Sequence, residues 1–194
     1  MSDGSVIAAP GRQVAVSFVL LAMMIASLLA APGPDGLSGA FLAALMLAIA
    51  LIDGRRYLIP NELTGAAATL ALLRAAAVGP EADLQALLQA LAWTACRGAA
   101  TAMPLLALMI GYRRWRGRDG LGLGDIKLAA VAGLWLNFVT IFAVIELATL
   151  SALGAYFVNG YLRKRPLKTT AFLPFGLFLA PAIWIGWLVE AMLG

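Results

Sequence analysis

Apolar residues in this chain gather in long continuous runs separated by short polar breaks. The runs cover residues 14–31, 37–52, 63–78, 84–112, 126–161 and 171–193. A helix needs about 20 apolar residues to cross a hydrocarbon core roughly 30 Å thick. The stretch 126–161 is long enough for two crossings, with a turn near Leu136-Asn137. The pattern predicts an all-α, polytopic integral membrane protein of about seven transmembrane helices (six to eight), some of them short. Pro32-Gly33-Pro34-Asp35-Gly36 and Gly79-Pro80 mark turns. The first run has the length of a secretory signal, but only Arg12 precedes it and further runs follow, so it is read as an uncleaved helix.

Composition agrees with the runs. The 194 residues are 62% hydrophobic and 12% charged, against about 45–50% and about 25% in soluble domains. The spans use up the length, so residues 1–194 are read as a single membrane-embedded domain. Cys96 is the sole cysteine and there is no histidine. A disulfide framework, a cysteine zinc site and imidazole chemistry are thereby excluded. Acid–base chemistry falls to Asp, Glu, Lys or Tyr, with no cofactor or metal expected.

The net charge of +4 raises the question of nucleic acid. Its distribution answers it. The basic residues cluster between apolar runs, at Arg55-Arg56, at Arg113 to Arg118 and at Arg163 to Lys168. Such clusters mark cytoplasmic loops. With a cytoplasmic N-terminus, every basic loop falls on one side, and only Arg74 and Arg97 of the 14 basic residues lie elsewhere. The expected partner is membrane lipid, not nucleic acid. This topology places Asp53, at the end of the second run, and Asp125, at the start of the fifth, on the same cytoplasmic side.

Two carboxylates in one low-dielectric site cannot both ionise cheaply, so they share a proton. The ionised member can take a proton from water while the neutral one donates to a carbonyl oxygen, as in aspartic proteases. Asp125 closes Gly120-Leu-Gly-Leu-Gly-Asp, where the glycines are expected to supply unusual backbone torsions and to let a substrate strand lie close. Lys127 is expected to orient a carboxylate or screen its charge. Taken singly, each feature has a plainer reading: Asp125 as a helix cap, Asp53 as an interfacial acid, Ile59-Pro60-Asn61 as a turn. Gly-Leu-Gly-Leu-Gly lacks the spacing of a dinucleotide site.

Together the motifs resemble those of bacterial prepilin peptidases, the type IV leader peptidases. Asp53 followed by Ile59-Pro60-Asn61-Glu62-Leu63-Thr64 looks like their first aspartate motif. Gly122-Leu123-Gly124-Asp125-Ile126-Lys127 is similar to their GxGD motif. Leu173-Pro174-Phe175-Gly176 resembles their C-terminal segment. The likeness covers residues 37–194. It implies an aspartyl endopeptidase of the bacterial inner membrane that cuts the basic leader of a prepilin or pseudopilin at the cytoplasmic face. Asp53 and Asp125 would be the catalytic pair, with Gly122, Gly124, Lys127, Pro60, Asn61, Pro174 and Gly176 in support. Larger members carry a cysteine-bearing insert and N-methylate the product. This chain lacks that insert and resembles the short peptidase-only form of tight-adherence pili, which argues against methylation. The presenilin and signal-peptide-peptidase branch pairs Gly-Leu-Gly-Asp with a Tyr-Asp motif that is absent here. A non-catalytic transporter or assembly subunit, its acids serving as an ion relay, is the reading from another class.

Arg97 and Glu146 fall within apolar runs, where charges are costly, and are expected to pair. Asn137 is read as a turn residue. Trp135, Trp184 and Trp187 are read as interface anchors.

Overall fold

Seven helices occupy the described residues of the computed structural model, which are 10–78, 84–117, 122–162 and 174–193. They are α1 (Pro10–Ala30), α2 (Pro34–Arg56), α3 (Asn61–Val78), α4 (Leu84–Arg116), α5 (Leu123–Trp135), α6 (Phe138–Leu162) and α7 (Gly176–Leu193). No strand occurs among these residues. Five helices (α1, α2, α4, α6 and α7) are long and apolar enough to cross a membrane. The chain is therefore a multi-pass, all-helical membrane protein. Gly120, Leu121, Leu173 and the basic loop at 163–168 lie outside the described residues.

Local chemistry explains the boundaries. Proline is tolerated in a helix's first turn, where its missing N–H would have no partner, so Pro34 opens α2. The helix runs one turn beyond the apolar stretch 37–52, which places Asp53 inside its last turn. It stops at Tyr57, a left-handed residue (φ 53°) whose N–H donates to Asp53 O at 2.9 Å. Between α5 and α6 the chain turns as expected. Leu136 is extended, and Asn137 Oδ1 accepts from the Thr140 N–H at 3.0 Å, capping α6.

Two groups of helices meet in the middle of the bundle. In one, α2 packs against α1, α3 and α7, and α7 continues to α6. In the other, α5 packs against α3 and α4, and it also touches α7. Small residues permit the closest approaches, as they do generally between helices in lipid. A Cβ on Gly133 would lie 2.7 Å from Arg97 O and 2.8 Å from Gly98 Cα. Gly39 faces the ring of Trp187 so closely that no Cβ fits.

Trp135 and Trp187 are core residues, contrary to the expectation of interface anchors, and Trp184 is half-buried against the core. Trp135 and Trp187 are both 1% exposed. Trp135 Nε1 donates to Ala67 O at 3.0 Å, and Trp184 Nε1 donates to Ser27 Oγ at 3.0 Å. Trp187 fills the gap that Gly39 leaves opposite it, while its own Nε1 is buried without an acceptor among the described residues.

The expected Arg97–Glu146 pair does not form. Glu146 is exposed on α6, and the acid whose charge reaches Arg97 is Glu190 of α7. Glu190 also accepts from the Asn137 N–H at 2.8 Å. Arg74 forms an ion pair with Asp35 and stands over the Trp135 ring, 5.6 Å from its centre. Both exceptions to the basic-loop pattern therefore have an acidic neighbour.

Candidate active site

Four pieces of chain meet around Asp53 and Asp125. Asp53 comes from the last turn of α2 and is 5% exposed. It points at the start of α7. The first N–H groups of a helix have no partner within it. Here Asp53 Oδ2 accepts from the Leu177 N–H at 3.0 Å, and the Gly176 N–H is a second donor. An aspartate on one helix thus caps another, 124 positions away in sequence.

Pro174 and Gly176 make this cap possible. The backbone turns tightly after Pro174, with the Phe178 N–H on Phe175 O at 3.0 Å. A Cβ on Gly176 would lie 2.9 Å from Asp53 Oδ2 and 2.7 Å from Ile59 Cδ1. Only glycine lets the first turn of α7 come this close to the carboxylate.

Asp125 stands in the first turn of α5, where Gly122 and not Asp125 is the N-cap. Asp125 is therefore not the N-cap itself; from the third position its carboxylate reaches back to the Gly122 backbone. The glycines also act differently from expectation. Gly122 has ordinary torsions (φ −75°, ψ 138°), so left-handed freedom is not its role. Close approach is. A Cβ there would lie 3.0 Å from Asp125 Oδ2, and one on Gly124 would lie 3.0 Å from Ile59 Cβ.

Asp125 lies outside the five candidate spans, and its environment is unfavourable to charge. Its pKa is raised from 3.8 to about 6, first by burial and then by the negative charge of Asp53, with the Gly122 backbone opposing. The two acids are close enough to feel each other. A pair in which one member resists ionisation is what proton sharing requires.

Lys127 does not orient a carboxylate. Its Nζ donates to Asn61 Oδ1 at 2.7 Å, joining the first turns of α5 and α3. Below this pair lies a groove of about 310 Å³ between the two helices. Its walls are Thr64, Gly65 and Ala68 of α3 and Ala130, Val131 and Leu134 of α5. Pro60 leads into α3 and presents its carbonyl to the Thr64 N–H at 3.2 Å.

All nine residues singled out from sequence fall around this junction or at its edge. Two contributions were missed. Ile59 was read as part of a turn, yet it is buried between Gly124 and Gly176. The donors to Asp53 were missed because backbone N–H groups carry no sequence signature; the glycine at the start of α7 was their one trace. Among the described residues no three metal-ligating side chains gather here or elsewhere.

Comparison with known proteins identifies relatives across most of the chain. Residues 40–158 match the type IV leader peptidase family. Leader peptidase HopD of Escherichia coli is 33% identical over 147 residues, covering 75% of this chain and 88% of HopD. A prepilin leader peptidase/N-methyltransferase of Aeromonas hydrophila is 31% identical over 166 residues, covering 86% of this chain and 53% of that protein. One from Xanthomonas campestris pv. campestris is 28% identical over 186 residues, covering 90% and 60%. The chain thus spans little over half the length of these two bifunctional relatives. No solved structure matches.

Proposed function

The chain belongs to the type IV leader peptidase family, and on that premise we propose that it is an aspartyl endopeptidase that removes the leader of a prepilin or pseudopilin. The cut falls at the cytoplasmic face of the bacterial inner membrane, where the basic loops gather. Leader cleavage alone is proposed; methyl transfer, named for the longer relatives, is not assigned to this chain.

The observation that carries this reading is the convergence of Asp53 and Asp125 on one site, with Asp125 resisting ionisation beside Asp53. In the proposed reaction one carboxyl is protonated and the other ionised. The ionised member takes a proton from water as the oxygen attacks the scissile carbonyl carbon. The protonated member gives its proton to the carbonyl oxygen. As the tetrahedral diol collapses and the C–N bond breaks, a diol hydroxyl gives its proton to the now ionised carboxylate, and the carboxyl that took water's proton passes it to the leaving nitrogen, restoring both acids. The groove between α3 and α5 offers an apolar wall to the substrate segment beyond the cut.

The test is cleavage of a co-expressed prepilin, read as a mobility shift. Asp53→Asn and Asp125→Asn are each expected to abolish the shift while the protein still accumulates in the membrane. Retained cleavage in either variant would sink the two-aspartate mechanism.

A further inference from the structure

Ile59 touches both halves of the site without carrying any chemistry of its own. Its Cβ would be 3.0 Å from a Cβ on Gly124, one residue before Asp125. Its Cδ1 would be 2.7 Å from a Cβ on Gly176, whose N–H and that of Leu177 hold Asp53. The side chain is 9% exposed and belongs to the main apolar core. On two sides it therefore meets bare backbone at the opening turns of α5 and α7.

We infer that Ile59 is a positioning residue, a wedge whose thickness sets the separation of the Asp53 and Asp125 carboxyl groups. Three features support this. The turns it separates are the ones that carry Asp125 and the donors to Asp53. Both meet it through glycine, so their backbones seat directly on its surface with no flexible side chain between to absorb a change. The wedge itself is β-branched, with one strongly restricted torsion, so its shape is well defined. The following Pro60 fixes the chain direction at this point.

The inference rests on the two-aspartate peptidase reading and names how that site is held. The charged group facing Asp125 is Asp53 of α2, while Lys127 on the same helix is committed to Asn61. A change in wedge thickness is therefore felt by Asp125 as a change in the distance of one negative charge.

Three substitutions test it in the full-length protein in detergent, with a prepilin as substrate. Ile59→Val removes Cδ1, which loosens the contact with α7 most and the contact with α5 in part. Ile59→Ala removes Cδ1 and Cγ1 from between the two turns and leaves only Cβ against Gly124. Ile59→Leu keeps its volume. A misplacement on the order of 1 Å lowers turnover about 100-fold, so Ile59→Ala is expected to lose about that much kcat with KM little changed. Ile59→Val is expected to fall between it and the wild type, and Ile59→Leu to retain most activity. The alkaline limb of the pH–rate profile is expected to move to higher pH in Ile59→Ala, because the carboxyls draw together. A merely structural role would lower the amount of folded enzyme and leave that limb in place. Where Ile59→Ala fails to accumulate, Ile59→Val carries the same pH test. An unmoved limb in the accumulating variants, or loss of activity proportional to loss of folded protein, overturns the inference while wild-type cleavage stands. Absence of cleavage by the wild type overturns the peptidase reading instead.

Discussion

Replacing Gly176 by alanine perturbs the site at one defined point. The new Cβ would stand 2.9 Å from Asp53 Oδ2, 3.1 Å from Asp53 Cγ and 2.7 Å from Ile59 Cδ1. Carbon atoms prefer separations of about 3.5–4.0 Å, so each neighbour must retreat by several tenths of an ångström. Ile59 Cδ1 is the end of a side chain and can rotate. The carboxylate cannot retreat without lengthening its 3.0 Å bond from Leu177. Overpacking of this kind costs about 1–3 kcal/mol, and a hydrogen bond to a charged group contributes about 1.5–3 kcal/mol. The same shift moves a reacting atom, and a displacement near 1 Å lowers rate about 100-fold. Gly176→Ala is thus expected to lose roughly two orders of magnitude in kcat, with a smaller fall in thermal stability. The assay is prepilin cleavage by purified enzyme, with melting in detergent followed in parallel. Adding Ile59→Val removes the Cδ1 contact but not the contact with Asp53. The double variant is therefore expected to regain stability without regaining turnover. Wild-type turnover in Gly176→Ala would refute the claim that this glycine exists to admit the carboxylate.

Three further outcomes follow from the same geometry. Asp125 has a folded-state pKa of about 6 against 3.8 for a free side chain, so between these values the folded protein holds a proton that the unfolded chain releases. Stability from this group is therefore greatest at low pH and falls as pH rises from about 4 to about 6, so melting curves across that range should flatten in Asp125→Asn. Trp135→Phe removes the second donor of the Ala67 carbonyl, at 3.0 Å, and leaves a gap where the larger ring stood. The lost hydrogen bond is expected to cost about 0.5–1.5 kcal/mol in stability, with lost packing adding to it and cleavage retained by the remaining folded enzyme. Gly65→Ala is the contrast to Gly176→Ala: its added Cβ meets no atom within 4 Å. It should raise stability by about 0.5–1 kcal/mol through helix preference alone, measured by melting, and a loss would show that the α3 face is not open.

The acids of the site were legible in sequence because each stood beside its own strong turn signal and the pattern of basic loops assigned both to one side of the membrane. The helices themselves were legible because apolar length and proline–glycine punctuation are local, but of the about seven spans expected only five of the described helices are long and apolar enough to cross, α3 and α5 falling short. Packing was not. Runs such as 138–162 are apolar on every side, so periodicity cannot say which face meets a neighbour. Hence Arg97 was matched with Glu146, on the next long run, when the nearby acid is Glu190 at the far end of the chain. Hence also the tryptophans were assigned to the interface, although Trp187 lies buried over Gly39.

The motif glycines show the same limit in a sharper form. A glycine in a turn-like sequence suggests unusual torsions, and Gly33 and Gly117 do have positive φ. Gly122 does not. Gly124 and Gly176 are missing a side chain for the sake of a neighbour distant in sequence, and that neighbour is the same residue, Ile59. Three motifs that look independent along the chain are therefore one packed unit. The Ile-Pro-Asn turn supplies the wedge, and the two glycine motifs supply the surfaces that close on it. Any substitution in one of them acts on the acid held by another. The separation of Asp53 and Asp125 is in this sense a property of a hydrophobic contact, which is why neither acid's own surroundings in sequence could reveal it.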